Sequence, residues 1–392
     1  MAFKLPVLNV SSSDSGISIP GLTKIEWSNV TEKCKLGEGS FGDVYSARVQ
    51  NKVVVVKRLR RQKKQKERDL FAKEVRILSG LQCRHIVGVE GYCSNPVAVI
   101  LEYVYFDFKP LGIDGDRITS LNEYLDFLCN GEVVTQLAFL QPKIALDVVT
   151  AVDYLHDRNI VHRDIKLRNV LVSNTHYCHL TNPHEIEQAW LKEGIVCKLA
   201  DFGESRSSLH QTATINHTRT TNLQRGTLVY NPPEAVVTTK KVSYSLEELK
   251  YGDIWSLGMV LFMLMNPDQE FPYSKELEDN NVECSSEAKN VIGKLMDEGK
   301  KPAHSVKFHS FRVAQWSYIN KAYEQCTFFQ PSQRASAHDV LTVLCQGGKE
   351  KDNITPLQPE DKEEKQDLNE NQRDKANSFE KSTVQSKENV AM

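Results

Sequence analysis

Two short polar stretches constrain this chain more than anything else in it. Residues 162–169 read His-Arg-Asp-Ile-Lys-Leu-Arg-Asn, and Asp201-Phe202-Gly203 follows about thirty residues later. A single Asp or Asn in a loop is more often a turn former than a ligand. The set is harder to dismiss. Asp164 is placed to accept a proton from a hydroxyl, and Asn169 and Asp201 supply the hard oxygens that Mg²⁺ prefers beside phosphates.

The upstream half of the chain carries matching chemistry. Gly37-Glu38-Gly39-Ser40-Phe41-Gly42-Asp43-Val44 fits G-x-G-x-x-G-x-V in full. Alone that pattern is weak and equally marks a dinucleotide fold. Here the valine run Val53 to Val56 follows it and ends in Lys57, which reads as a buried strand delivering a lysine to a phosphate. Glu74 lies in a stretch with Leu70, Phe71, Val75 and Leu78 at helical spacing. A lysine on a strand and a glutamate on a helix can pair and so hold the cation in place.

Downstream come Gly226-Thr227-Leu228-Val229-Tyr230-Asn231-Pro232-Pro233-Glu234, then Asp253-Ile254-Trp255-Ser256-Leu257-Gly258, then Arg334. In this order the motifs resemble the protein kinase family over residues 37–334. The resemblance implies an α+β, two-lobed fold: a small β-rich N-lobe with one helix and a larger helical C-lobe. It implies ATP and Mg²⁺ as cofactors and transfer of the γ-phosphoryl group to protein hydroxyls. Leu36, Gly37, Glu38, Gly39, Ser40, Phe41 and Gly42 would cover the phosphates. Val44 and Val55 would lie above the adenine and Leu171 below it, with Leu101 as gatekeeper and Glu102-Tyr103-Val104 as hinge. Val55 departs from the usual alanine and would narrow the adenine pocket.

The same resemblance gives Lys57 to the α- and β-phosphates with Glu74 as its partner, and Asp201 and Asn169 to the metal. Asp164 would orient and deprotonate the substrate hydroxyl, Lys166 would neutralise the phosphoryl group in flight, and Thr227 would couple the activation segment to both. Arg334 would pair with Glu234, and the region opening at Asp253 would start the central helix. Lys166 and the Gly-Thr-x-x-Tyr pattern at 226–230 favour Ser/Thr acceptors, with phrasing near Trp27 and Gly91-Tyr92-Cys93 similar to the tyrosine-kinase-like group. Arg163 would receive a phosphorylated residue of the activation segment, for which Thr220 and Thr221 are the candidates and an upstream kinase the partner. Glu204 stands where an apolar residue is usual and leaves the choice between Ser and Thr open.

At 392 residues the chain holds one such domain plus tails. Residues 1–29 read as a poorly ordered leader, although Ile25-Glu26-Trp27 can pack on the N-lobe. The kinase domain is expected over 30–345, with the N-lobe at 30–104 and the C-lobe at 105–345. Insertions are expected at 105–120, where Pro110, Gly112 and Gly115 argue for a loop, and at 173–195, with helical character around Glu185 to Lys192. Residues 346–392 form a polar, charged tail that buries too little apolar surface to offset ordering entropy.

Lys+Arg 49 against Asp+Glu 51 gives no basic excess, so nucleic acid is not an expected partner. Met1-Ala2-Phe3-Lys4 has neither a signal core nor a myristoylation glycine, and the apolar run Ile254 to Met265 is too short for a membrane span. Nine scattered cysteines suit a reducing compartment, and the expected setting is cytoplasmic.

Several residues invite sharper readings that their surroundings disfavour. The basic run Arg58 to Lys66 reads as a solvated face, and His176, Cys178, His179 and His184 fit no zinc spacing. Cys197 points into strand packing, and His162 is a packing partner of Phe202 and not a base. The rival functions are a pseudokinase scaffold, a dual-specificity kinase and a small-molecule kinase. Retention of Lys57, Asp164, Asn169 and Asp201 weighs against the scaffold, and Pro233-Glu234 weighs against the small-molecule enzyme.

Overall fold

A computed structural model of the chain describes residues 21–38, 42–60, 65–130, 137–207, 228–236, 244–282 and 285–351. The chain divides at Gly348 into two units. All that follows concerns the first unit, apart from the end of its last helix.

The N-lobe is one antiparallel sheet in the order β1-β2-β3-β5-β4. Its strands are β1 (Val30–Glu38), β2 (Gly42–Val49), β3 (Lys52–Leu59), β4 (Val89–Cys93) and β5 (Ala98–Glu102). Side chains alternate along a strand. On β3, Val54 and Val56 enter a core with Val30, Ala47 and Ile100. Val55 and Lys57 therefore face the other way, onto the side the site occupies. Gly42 is a steric necessity, because a Cβ there would lie 2.0 Å from the Arg58 carbonyl oxygen.

Helix α1 (Gln65–Ser79) is laid against this sheet by Phe71 and Val75, which meet Leu59, Tyr92 and Val99. Glu74 falls within the same stripe, so helical spacing alone carries a carboxylate under the sheet. The expected leader needs correction over its last residues. Ile25 N–H donates to the Tyr92 carbonyl at 2.8 Å, Tyr92 N–H donates to Thr23, and Trp27–Asn29 forms a 3₁₀ turn. The backbone of β4 had an open edge, and residues 23–25 satisfy it. Residues 1–20 lie outside the described residues. Arg58 and Arg60 of the basic run pair with Asp43, and residues 61–64 are not described.

The C-lobe is built on helices α2 (Leu121–Asn130), α3 (Gln141–Asp157), α4 (Pro183–Glu193), α5 (Pro233–Val236), α6 (Leu246–Met265), α7 (Ser274–Asp279), α8 (Ser285–Asp297), α9 (His309–Val313), α10 (Ser317–Cys326) and α11 (Ala337–Lys351). Short strands β6 (Ile160–Val161) and β9 (Arg206–Ser207) form one pair, and β7 (Val170–Ser173) and β8 (Val196–Leu199) form another. Helix α6 is apolar on every side from Ile254 onward, as a helix at the centre of a lobe must be. It begins seven residues earlier than the expected start at Asp253. Ser245 and Glu248 form a capping box that sets the true beginning. Gly258 lets α10 approach closely, since a Cβ there would meet Thr327 at 2.5 Å.

Two boundaries also differ from expectation. Residues 105–120 are no plain loop: Phe106 pairs with Ile118, and Phe106 and Phe108 are fully buried against Tyr124 and Phe127. The tail expected from 346 starts as the end of α11, which runs to Lys351, and residues 352–392 are not described.

Histidines held below their ordinary pKa inside the C-lobe are expected to make it acid-sensitive, and half-buried His304 is one of them. His304 sits among Phe262, Tyr323, Asn266 and Arg312, and burial together with Arg312 pushes its pKa down to about 4. Its folded pKa is below the unfolded value of about 6.5. Stability is therefore fully present above pH 6.5 and falls as the unfolded chain gains a proton between pH 6.5 and about 4. We expect Tm to fall between pH 7 and pH 5, and His304→Phe to flatten that slope while lowering Tm at pH 7. An unchanged slope in the variant would assign the acid sensitivity elsewhere.

Candidate active site

Lys57 is the meeting point of the two lobes. Its Nζ lies 2.6 Å from Glu74 Oε1 on α1 and 3.1 Å from Asp201 Oδ1 at the end of β8. Burial alone would push the Lys57 ammonium down, but the carboxylates of Asp201 and Glu74 outweigh it and raise its pKa above the ordinary lysine value. Lys57 in turn holds Asp201 below the usual carboxylate range, so Asp201 is charged at neutral pH. Glu74 is pulled the opposite way by burial, which Lys57 offsets only in part. Its Oε2 is buried without a partner, a polar atom left unsatisfied beside the site.

The loop between β6 and β7 carries the second group. Lys166 Nζ donates to both Asp164 oxygens, at 2.9 and 2.7 Å. Asn169 Nδ2 donates to the Asp164 carbonyl at 2.7 Å and to its Oδ2 at 2.9 Å. The loop turns sharply at Arg163, whose φ of 70° is unusual for a residue other than glycine. Asp253, buried on α6, holds that turn by accepting from the backbone N–H of His162 and of Arg163, each at 2.7 Å. His156 Nε2 lies 3.1 Å from the same carboxylate. The sequence reading missed this role. The available signal was a lone carboxylate at the head of the apolar run Ile254 to Met265.

His162 is fully buried and meets the Phe202 ring edge-on at 4.8 Å, with Nε2 at 3.1 Å from the Ala200 carbonyl. Burial holds its pKa low, consistent with packing and not with proton transfer. Cys197 is buried on β8, and burial pushes its thiol well above the ordinary value. His176 and His184 are engaged locally, with the Glu193 carbonyl and Gln188 respectively.

On the nucleotide side, Val44 is opposite Lys57 across β2–β3, and Val55 is opposite Leu101 across β3–β5. Leu101, Leu171 and Val55 are partly buried, Val104 is buried, and Leu36 is exposed at the end of β1. Glu102 turns its side chain away from the hinge strand, to Gly88 N–H at 2.6 Å and Lys198 Nζ at 2.8 Å. Its backbone N–H is committed as well, donating to the Gly88 carbonyl at 3.0 Å. Glu38 pairs with Lys35 and Arg60. Among the described residues, a Cβ at Gly37 would meet no atom within 4 Å. Gly39, Ser40, Phe41, Thr220, Thr221 and Thr227 lie outside the described residues.

The oxygen donors also fit a small hard cation. Asn169 commits its amide nitrogen to Asp164, which leaves Oδ1 as a donor, and Asp201 keeps a carboxylate that is 37% exposed. A carboxylate and an amide oxygen are the donor types Mg²⁺ selects.

The family model described as protein kinase domain matches residues 30–343. The chain belongs to the protein kinase family. A probable receptor-like protein kinase of Arabidopsis thaliana is 28% identical over 351 residues, covering 87% of this kinase and 45% of the relative. Calcium/calmodulin-regulated receptor-like kinase 1 of the same plant is 28% identical over 319 residues, 79% of this chain and 59% of its own. Cyclin-dependent kinase 1 of Encephalitozoon cuniculi is 30% identical over 251 residues, 62% and 69% of the two chains. The kinase thus spans about half the length of the plant relatives. The Glu234–Arg334 pair is closed by two hydrogen bonds of 2.7 Å, and Arg334 is buried. Among the described residues no helix is long and apolar enough to cross a membrane.

Proposed function

We propose that this kinase transfers the γ-phosphoryl group of ATP to serine and threonine hydroxyls of proteins. The observation that carries the reading is the convergence of Lys57, Glu74 and Asp201 beside the Asp164–Lys166–Asn169 cluster. Asp164 accepts the proton of the acceptor hydroxyl, and the two donors on its carboxylate keep it aimed. Lys166 sits against the same carboxylate and offsets negative charge on the transferring group. Lys57 orients the nucleotide through its charge, fixed by Glu74. Asn169 and Asp201 would hold Mg²⁺, which would supply neutralisation of phosphate charge. Most of the barrier reduction is positioning and electrostatics.

Thr227 completes this arrangement in the same proposal, and an upstream kinase acting on Thr220 or Thr221 supplies a phosphate for Arg163. A cytoplasmic setting belongs to it as well. Its support is that the cysteines among the described residues are free.

The test is transfer of labelled phosphate from ATP and Mg²⁺ to the kinase itself and to a generic protein substrate, with phosphoamino acids identified. We expect label on serine and threonine. Label on tyrosine alone, or none after an upstream kinase has modified Thr220 or Thr221, would sink the proposal.

A further inference from the structure

Strands β7 and β8 are paired to their very ends, with Ser173 opposite Val196. A tight turn of two residues can close such a hairpin. This kinase uses residues 174–195 instead, and one end of that segment holds the chain leaving the hinge while the other holds the connection from α1 to β4.

The first end holds the hinge. Asn174 is fully buried, and its side chain reads the backbone of Asp107, three residues beyond Val104. Asp107 N–H donates to Asn174 Oδ1 and Asn174 Nδ2 donates to the Asp107 carbonyl, both at 2.8 Å. Asn174 N–H also donates to the Tyr105 carbonyl at 3.3 Å. On the other side, Arg117 Nε donates to Asp107 Oδ2 at 2.7 Å. The chain leaving the hinge is thus fixed by backbone recognition, which sets position without depending on the neighbour's side chain.

The second end holds the connection from α1 to β4. Glu193, the last residue of α4, forms an ion pair with Arg84 on that connection and a second, at 3.4 Å, with Lys143 of α3. The same connection lies on β8, where Leu199 N–H donates to the His85 carbonyl at 2.8 Å and Val87 N–H donates to Leu199 at 3.0 Å. The two ends are tied to each other. His176 Nε2 lies 2.8 Å from the Glu193 carbonyl, and the buried Tyr177 hydroxyl donates to the Gly194 carbonyl at 2.7 Å.

We propose that residues 174–193 form a strap that positions the hinge and the α1–β4 connection relative to one another, with Asn174 and Glu193 as its positioning residues. The strap thereby sets affinity for the adenine nucleotide. This rests on the reading above that the hinge receives adenine. Neither residue touches the groups that carry out transfer.

The experiment measures ADP binding by calorimetry and steady-state kinetics with ATP and a protein substrate, on the full chain. Wild type binds ADP. Asn174→Ala raises the ADP Kd and the KM for ATP by about tenfold, while the KM for protein substrate stays within about twofold. Glu193→Arg raises the KM for ATP by about threefold, the scale of a partly exposed ion pair. The double variant Arg84→Glu with Glu193→Arg returns it toward wild type. Lys143 retains Asp147 as a partner throughout.

If Asn174→Ala does not fold, the Arg84 and Glu193 variants decide alone. Variants that melt lower but keep a wild-type KM for ATP, or a charge swap that restores nothing, overturn the strap. A wild-type chain that binds no ADP overturns the nucleotide reading itself and the strap with it.

Discussion

Asp164→Ala lowers kcat for phosphoryl transfer by about 10³-fold, within the range that loss of a positioned general base produces. ADP affinity stays within a few-fold of wild type, because Asp164 binds Lys166 and Asn169, whereas Lys57 is held by Glu74 and Asp201. The variant removes more than a proton acceptor. It leaves the Lys166 ammonium and the Asn169 amide without the carboxylate both now serve, so two groups beside the phosphates lose their aim. Asp164→Asn separates these effects, since it keeps shape and hydrogen-bonding capacity but not charge or basicity. Single-turnover measurements on both variants, with ADP binding alongside, make the comparison. A kcat within tenfold of wild type in both would remove Asp164 from its proposed role.

The second large effect concerns Lys57. Lys57→Met removes the cation that faces Glu74 at 2.6 Å, and the Glu74 side chain is only 2% exposed. An uncompensated carboxylate at such depth costs about 3–5 kcal/mol. A fall in Tm and loss of transfer therefore arrive together, and activity alone cannot tell them apart. The double variant Lys57→Met with Glu74→Leu can. Replacing both partners with apolar groups of similar size removes the buried charge, so most of the lost stability returns. Transfer does not return, because the charge that orients the phosphates is still missing. Thermal melts of both variants check the first part and phosphate transfer the second. A double variant no more stable than the single one would show that the stranded carboxylate is not what destabilises the chain.

What was legible in the sequence is what local spacing encodes. Asp164, Lys166 and Asn169 lie within one short loop, so their clustering follows from chain geometry. Glu74 was readable because Phe71, Val75 and Leu78 mark the face on which it lies. Lys57 followed from the unbroken valine run Val53 to Val56 that it ends. The start of α6 was also there to be read, as Ser245 and Glu248 at capping-box spacing. Contacts between distant segments were not legible. Nothing around Asn174 announces that its amide fits the backbone at Asp107, and residues 105–120 looked like a loop because their pairing of Phe106 with Ile118 depends on a burial supplied by α2. The side chain of Glu102 illustrates the same limit. Its hinge position was readable, but its commitment to Gly88 and Lys198 was not.

The Asp253 carboxylate has a consequence for how this kinase can be turned off. It binds the backbone of His162 and Arg163 from inside the longest buried helix. Parts of a protein that open independently are those with few buried contacts, and a core helix opens only with the whole. We therefore expect the loop that carries Asp164 to open only together with that helix, which hydrogen exchange at the His162 and Arg163 amides would check. We expect a switch in this kinase to act instead on the Lys57–Glu74 pair that joins β3 to α1.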